Sequence, residues 1–142
     1  MLHHMQLQQI KEYFHTQPVE VVYLFGSQTE QETHPTSDVD IAILFQKGLE
    51  KNKRFDLKLE YIGQLSRILM TDFLDVVDLQ DAPLLLSYSV ITPRYILFVR
   101  DEQKRVEYEQ YVLSRYLDNL YYIRRNTLTN LATVAQKGIF HE

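Results

Sequence analysis

The chain contains no cysteine, which excludes a disulfide framework and a thiolate zinc site and suits a cytosolic protein. A basic field is missing too. The formal net charge is -4 and the pI lies near 5.7, so direct binding of nucleic acid is not expected and ligands should be small molecules or proteins. No apolar run approaches the length of a membrane span, and the N-terminal stretch MLHHMQLQQIKEYFHTQ lacks the continuous apolar core of a signal peptide. Internal repeats and low-complexity tracts are likewise absent. At 142 residues and 45% hydrophobic content, the chain should form one domain over 1–142 that buries roughly two-thirds of its unfolded surface, with no room for a second module.

What is present alternates between strand and helix patterns. Leu7, Ile10, Tyr13 and Phe14 recur at helical spacing and predict an amphipathic helix over 4–16. The apolar run Val21 to Phe25 predicts a first strand, and residues 38–45 a second. Between them, QTEQE has the composition of one or two helical turns, and Thr33 to Ser37 reads as loop. A helix over 51–69 follows, with an apolar stripe of Phe55, Leu57, Leu59, Ile62, Leu65, Ile68 and Leu69, and with Lys51, Lys53 and Arg54 at its solvated start. Phe73 to Leu79 predicts a third strand. Asp81 reads as the N-cap, and Pro83 as the first turn, of a short helix reaching about Val90. Pro93 stops it, Arg94 to Val99 makes a fourth strand, and a helix runs from Asp101 to about Asn126. This last helix is rich in tyrosine, and part of it is expected to be a protein interface. The fold class is therefore α/β (α+β), a small mixed sheet flanked by helices with a long C-terminal helix.

Chemistry concentrates in VEVVYLFGSQTEQETHPTSDVDIAILF, residues 19–45. The first strand ends at Gly26-Ser27, and after a ten-residue spacer the second opens with Asp38-Val39-Asp40. Alternate side chains of a strand share a face, so Asp38 and Asp40 project together while Val39 turns to the core. Two adjacent carboxylates repel unless a divalent cation lies between them, and hard oxygen ligands suit Mg²⁺ that keeps part of its shell for substrate phosphates. Gly26 lets the backbone approach a phosphate closely, and Ser27 adds a hydroxyl donor. If residues 28–32 open a helix, their amides point the same way.

Two cooperating metals, one activating a hydroxyl and one stabilising pyrophosphate, require a third carboxylate. Asp75 and Asp78 on the third strand are the candidates, and their odd spacing puts them on opposite faces. Asp75 is chosen for its mid-strand position, where a lone carboxylate is costly. His3, His4 and His34 read as solvated residues of a polar terminus and a loop.

These residues resemble the nucleotidyltransferase superfamily of polymerase beta-like fold, whose members carry G-S, a spacer and D-x-D on adjoining strands and a third carboxylate later. Within it the chain resembles the minimal nucleotidyltransferase (MNT) group and its MntA-like antitoxins. The likeness covers about 19–101 and includes LDVVDLQDAPLLLSYSVI and RYILFVRD. It implies phosphate binding by Gly26 and Ser27 and catalytic metal binding by Asp38, Asp40 and Asp75, with Mg²⁺ as two ions and ATP as substrate. It further implies a cytoplasmic antitoxin that transfers AMP to a tyrosine of a HEPN-domain RNase toxin. The alternatives are an antitoxin that works by binding alone and a transferase acting on a small molecule of the aminoglycoside type, which usually has an added acceptor domain. One departure is visible: where many relatives place an arginine and a second glycine after G-S, this chain has Gln28-Thr29-Glu30-Gln31.

Overall fold

A computed structural model describes residues 3–26 and 39–137, with side chains as far as residue 133. The element order is α1 (His4–His15), β1 (Val19–Phe25), β2 (Val39–Phe45), α2 (Lys51–Leu69), β3 (Leu74–Asp78), α3 (Leu84–Ile91), β4 (Tyr95–Val99) and α4 (Glu102–Lys137). The strands form one mixed sheet in the order β3-β2-β1-β4. β1 is antiparallel to both β2 and β4, whereas β2 and β3 are parallel and joined through α2, as a parallel pair requires.

Both sheet faces are covered. On one, α1 and α2 bring Ile10, Phe14, Leu57, Tyr61 and Leu65 against Val22, Leu24, Ile41, Ile43 and Val76. On the other, Val90 and Ile91 of α3 and Val112 of α4 cover Val21, Tyr23, Phe25 and Ala42. β1 lies at the sheet centre with all seven residues buried, which is why its sequence is a continuous apolar run broken by Glu20. Glu20 remains tolerable because Lys104 Nζ sits 3.3 Å from its Oε2. Arg100 ties α1 to the sheet by donating to the carbonyls of Phe14, His15, Gln17 and Val19 over 2.7–3.0 Å, a cation at a helix C-terminus.

Three expectations need correction. Arg54 is not solvated: it is 5% exposed, with Nε 2.7 Å from Asp78 Oδ2, Nη2 3.2 Å from Asp81 Oδ1, and Nη1 donating to the Leu49 carbonyl. The buried face of α2 therefore runs Arg54, Leu57, Tyr61, Leu65, while Phe55 and Leu59 are exposed. Asp81 does not cap α3. Its carboxylate is drawn to Arg54, and Pro83, with φ -60° and ψ 152°, occupies the N-cap. Finally, α4 passes Asn126 and continues to Lys137. Along this polar, β-branched stretch the Thr129 and Thr133 hydroxyls donate to the carbonyls four residues back, both at 3.0 Å, and so find partners within the helix itself.

Desolvation pushes the phenols of Tyr13 and Tyr108 up to about 12 from the ordinary 10.0, and Tyr23 and Tyr61 are also raised, chiefly by burial. The unfolded chain therefore loses these protons first. Stability held below pH 10 should fall as pH rises from 10 towards about 12. Chemical unfolding followed across that range checks this, with phenolate absorbance expected to rise together with unfolding.

Candidate functional site

The register of the sheet assembles the site. Antiparallel pairing places Phe25, the last residue of β1, opposite Asp40. Parallel pairing places Asp40 opposite Asp75. Residues paired this way project to one face, which the core confirms independently: Ile41 and Val76 join the α1/α2 layer, whereas Ala42 and Val77 join the α3/α4 layer. By alternation Asp40 and Asp75 lie on the α3/α4 face, on strands about 4.8 Å apart. The peptide leaving β1 at Gly26 comes to the same spot.

Gly26 has φ +81°, in the left-handed region that favours glycine. A Cβ there would overlap Asp40 Oδ2 and lie 3.2 Å from its Cγ. Backbone and carboxylate thus share a space no side chain can enter. Gly26→Ala should reduce nucleotide binding by at least about tenfold, because the overlap displaces Asp40 and the backbone strain costs about 1–3 kcal/mol. Titration with an ATP analogue and a thermal melt separate the two effects.

Asp78 faces the other way and is held by Arg54, with the amide of Gln80 donating to its Oδ1 at 3.0 Å. The cost of a buried lone carboxylate, which suggested Asp75 from sequence, in fact applies to Asp78 and is met by the guanidinium. Asp75 is exposed, on the edge strand, its Oδ1 accepting from the Val76 amide at 2.9 Å. What favours it is register with Asp40. Ser27, Asp38, His34 and the turns expected over residues 28–32 lie outside the described residues. Among the described residues no group of three or more potential ligands forms a metal cluster. Asp40 and Asp75, side by side against a glycine cradle, nevertheless form a donor set of hard oxygens that fits a magnesium ion better than a softer metal. Arg54 and Arg100 were the polar residues sequence reasoning missed; a basic residue at i-3 from a buried Leu57 was the available signal for the first.

A glycine-ended central strand, an acidic residue beside it and a second on the parallel neighbour are the framework of a nucleotidyltransferase. The family model "Polymerase beta, Nucleotidyltransferase" matches residues 8–103, and the chain belongs to that family. Among individual proteins it is similar to protein adenylyltransferase MntA of Shewanella oneidensis, 35% identical over 74 residues, covering 52% of this chain and 50% of that protein. The chain thus spans about half the length of that curated relative. Two solved structures share the fold. A chain of a toxin-antitoxin complex with AMP-PNP is 24% identical, with a TM-score of 0.64 over 92% of this chain and 99% of that one. A chain of the complex between tri-AMPylated Shewanella oneidensis HEPN toxin and MNT antitoxin is 23% identical, with a TM-score of 0.60 over 90% and 97%. Among the described residues no helix is long and apolar enough to cross a membrane.

Proposed function

We propose that this chain is an antitoxin of the cytoplasm, acting as a single catalytic domain that transfers AMP from ATP to a tyrosine hydroxyl of a HEPN-domain toxin and so neutralises it. The observation that carries the reading is the alignment of Asp40 with Asp75 beside the Gly26 cradle, and likeness to an adenylyltransferase supports it. Gly26 and Ser27 would receive the triphosphate, and Asp38, Asp40 and Asp75 would hold magnesium, as two ions. Bound magnesium neutralises phosphate charge and lowers the pKa of the acceptor hydroxyl. In the transfer the tyrosine oxygen bonds to the α-phosphorus, the bond from that phosphorus to the bridging oxygen breaks, and pyrophosphate leaves with the electron pair. The phenolic proton passes to solvent or a carboxylate at the open edge, where Asp75 stands exposed.

The test is incubation with labelled ATP, Mg²⁺ and the protein encoded next to this chain, which this reading expects to be of HEPN type. Label on a tyrosine of that protein is expected. Absence of label while the complex forms would remove the enzymatic reading and leave neutralisation by occlusion.

A further inference from the structure

The parts of the site stand in a row across the sheet. Gly26 follows the last residue of β1, Asp40 of β2 pairs with that last residue, Phe25, and Asp75 of β3 pairs with Asp40. With strands about 4.8 Å apart, the row covers roughly 10 Å. In a displacement at phosphorus the entering and leaving oxygens lie roughly in line. A triphosphate gripped at Gly26 holds its leaving end over β1, so the entering hydroxyl comes from the side of β3. That side is open, because the strand order is β3-β2-β1-β4 and no strand of the sheet lies beyond β3.

A cleft of about 280 Å³ follows this outer edge from Asp75 to Asp81, walled by α2 and the start of α3. Phe55, Pro83 and Leu86 give it an apolar surface, and Lys51 and Lys58 of α2 line it as well. The Phe55 ring is 56% exposed there. α2 links the parallel strands β2 and β3 and so runs antiparallel to them. With Arg54 at Asp78, Lys58 therefore stands one turn nearer Asp75, and Lys51 lies towards Asp81. Asp78 and Asp81 are both engaged by Arg54, and in the proposed reaction Asp75 faces magnesium. Among the described residues neither Lys51 nor Lys58 makes an ion pair. The cleft thus offers two uncompensated cations on a chain whose formal net charge is -4.

We infer that this cleft receives the acceptor segment and selects it by charge; the inference rests on the proposed transfer to a tyrosine of a protein. The tyrosine hydroxyl comes to Asp75, the chain on one side of it follows the edge of β3, an apolar side chain covers Phe55, and carboxylates within about five residues of the tyrosine meet Lys58 and Lys51. Two observations select this occupant. The cleft begins at Asp75, at the end of the row away from the phosphate cradle, so the nucleotide tail does not fill it and the attacking group must pass it. Its unpaired charge is positive on both sides of an exposed ring, which favours a segment that is acidic as well as apolar and discriminates against a basic one.

The test compares the full chain with the double variant Lys51→Glu, Lys58→Glu in steady-state labelling of the protein encoded next to it. Two fluorescent peptides serve as competitors, each with a central tyrosine, one flanked by glutamates and one by lysines. Charge reversal should raise KM for the neighbouring protein by about tenfold or more, with the effect in KM rather than kcat, while thermal midpoint and ATP-analogue affinity stay unchanged. KM of the wild type should rise with salt and that of the variant should not. The glutamate peptide should compete in the wild type, and the lysine peptide in the variant. An unchanged KM, or equal competition by both peptides, would overturn the inference. So would a fall in ATP-analogue affinity in the variant, which places the lysines on the nucleotide, displacement of the glutamate peptide by single-stranded RNA, or a wild-type dimer in sedimentation that charge reversal disperses. If the wild type labels nothing, the transferase reading falls. Binding of the glutamate peptide by the wild type and not by the variant would then retain the cleft as a site for acidic peptides, and absence of that binding would remove both.

Discussion

Asp40→Asn should lower the rate of AMP transfer by about 10²–10³-fold or more, the size of effect expected when a group that stabilises charge in the transition state is removed. Asparagine has the same shape, and Asp40 lies on a strand paired on both sides, to β1 and to β3. The chain should therefore stay folded and keep its complex with the proposed toxin partner. Asp75→Asn should behave alike, because its partner across the parallel ladder is Asp40. Asp78→Asn should not, since that carboxylate belongs to Arg54 on the opposite side of the sheet. Toxin-neutralisation assays with purified complexes then read mechanism directly. Survival of neutralisation in Asp40→Asn would mean that the toxin is silenced by coverage and not by modification.

The largest loss of stability should come from Arg54→Met. Arg54 and Asp78 have side chains 6% and 10% exposed, and removing the cation leaves a buried carboxylate facing methylenes. Breaking such a pair costs about 3–5 kcal/mol, which lowers the thermal midpoint by roughly 10–17 °C in a domain of this size. The double change Arg54→Met with Asp78→Asn should be less damaging than the sum of the two singles, since the uncompensated charge is gone. Activity per folded molecule should hardly change, because Arg54 acts at the far end of β3 from Asp75. A urea titration of the four proteins measures the coupling; strict additivity would mean that the ion pair contributes nothing beyond its separate parts.

Much of the fold was legible because periodicity and burial agreed. β1 and β2 read as apolar runs, α1 and the bounds of α2 followed from helical spacing, and the strand-helix alternation pointed to a mixed sheet. The errors have a common origin in side chains whose position depends on distant partners. Arg54 is buried only because Asp78 and Asp81 arrive from 24 and 27 residues away. Asp81 was lost to α3 for the same reason. Phe55 and Leu59 look like core in the α2 sequence, yet the face that turns inward is that of Arg54, Leu57, Tyr61 and Leu65. At the site, the G-S and D-x-D spacing identified the first strand pair, but the choice between Asp75 and Asp78 turned on β2–β3 register, which no local pattern encodes. The length of α4 was hidden by a run of threonine and asparagine that satisfies its own hydroxyls along the helix.

β3 is an outer strand, and outer strands invite pairing with a strand of another molecule. This one is five residues long and carries an exposed carboxylate, Asp75, near its start. A charge so placed opposes the pairing of this edge with another copy of itself. The acid read here for chemistry therefore also guards solubility. A neutral residue at position 75 should leave the chain both inactive and quicker to aggregate, so that one side chain serves the site and protects the sheet edge.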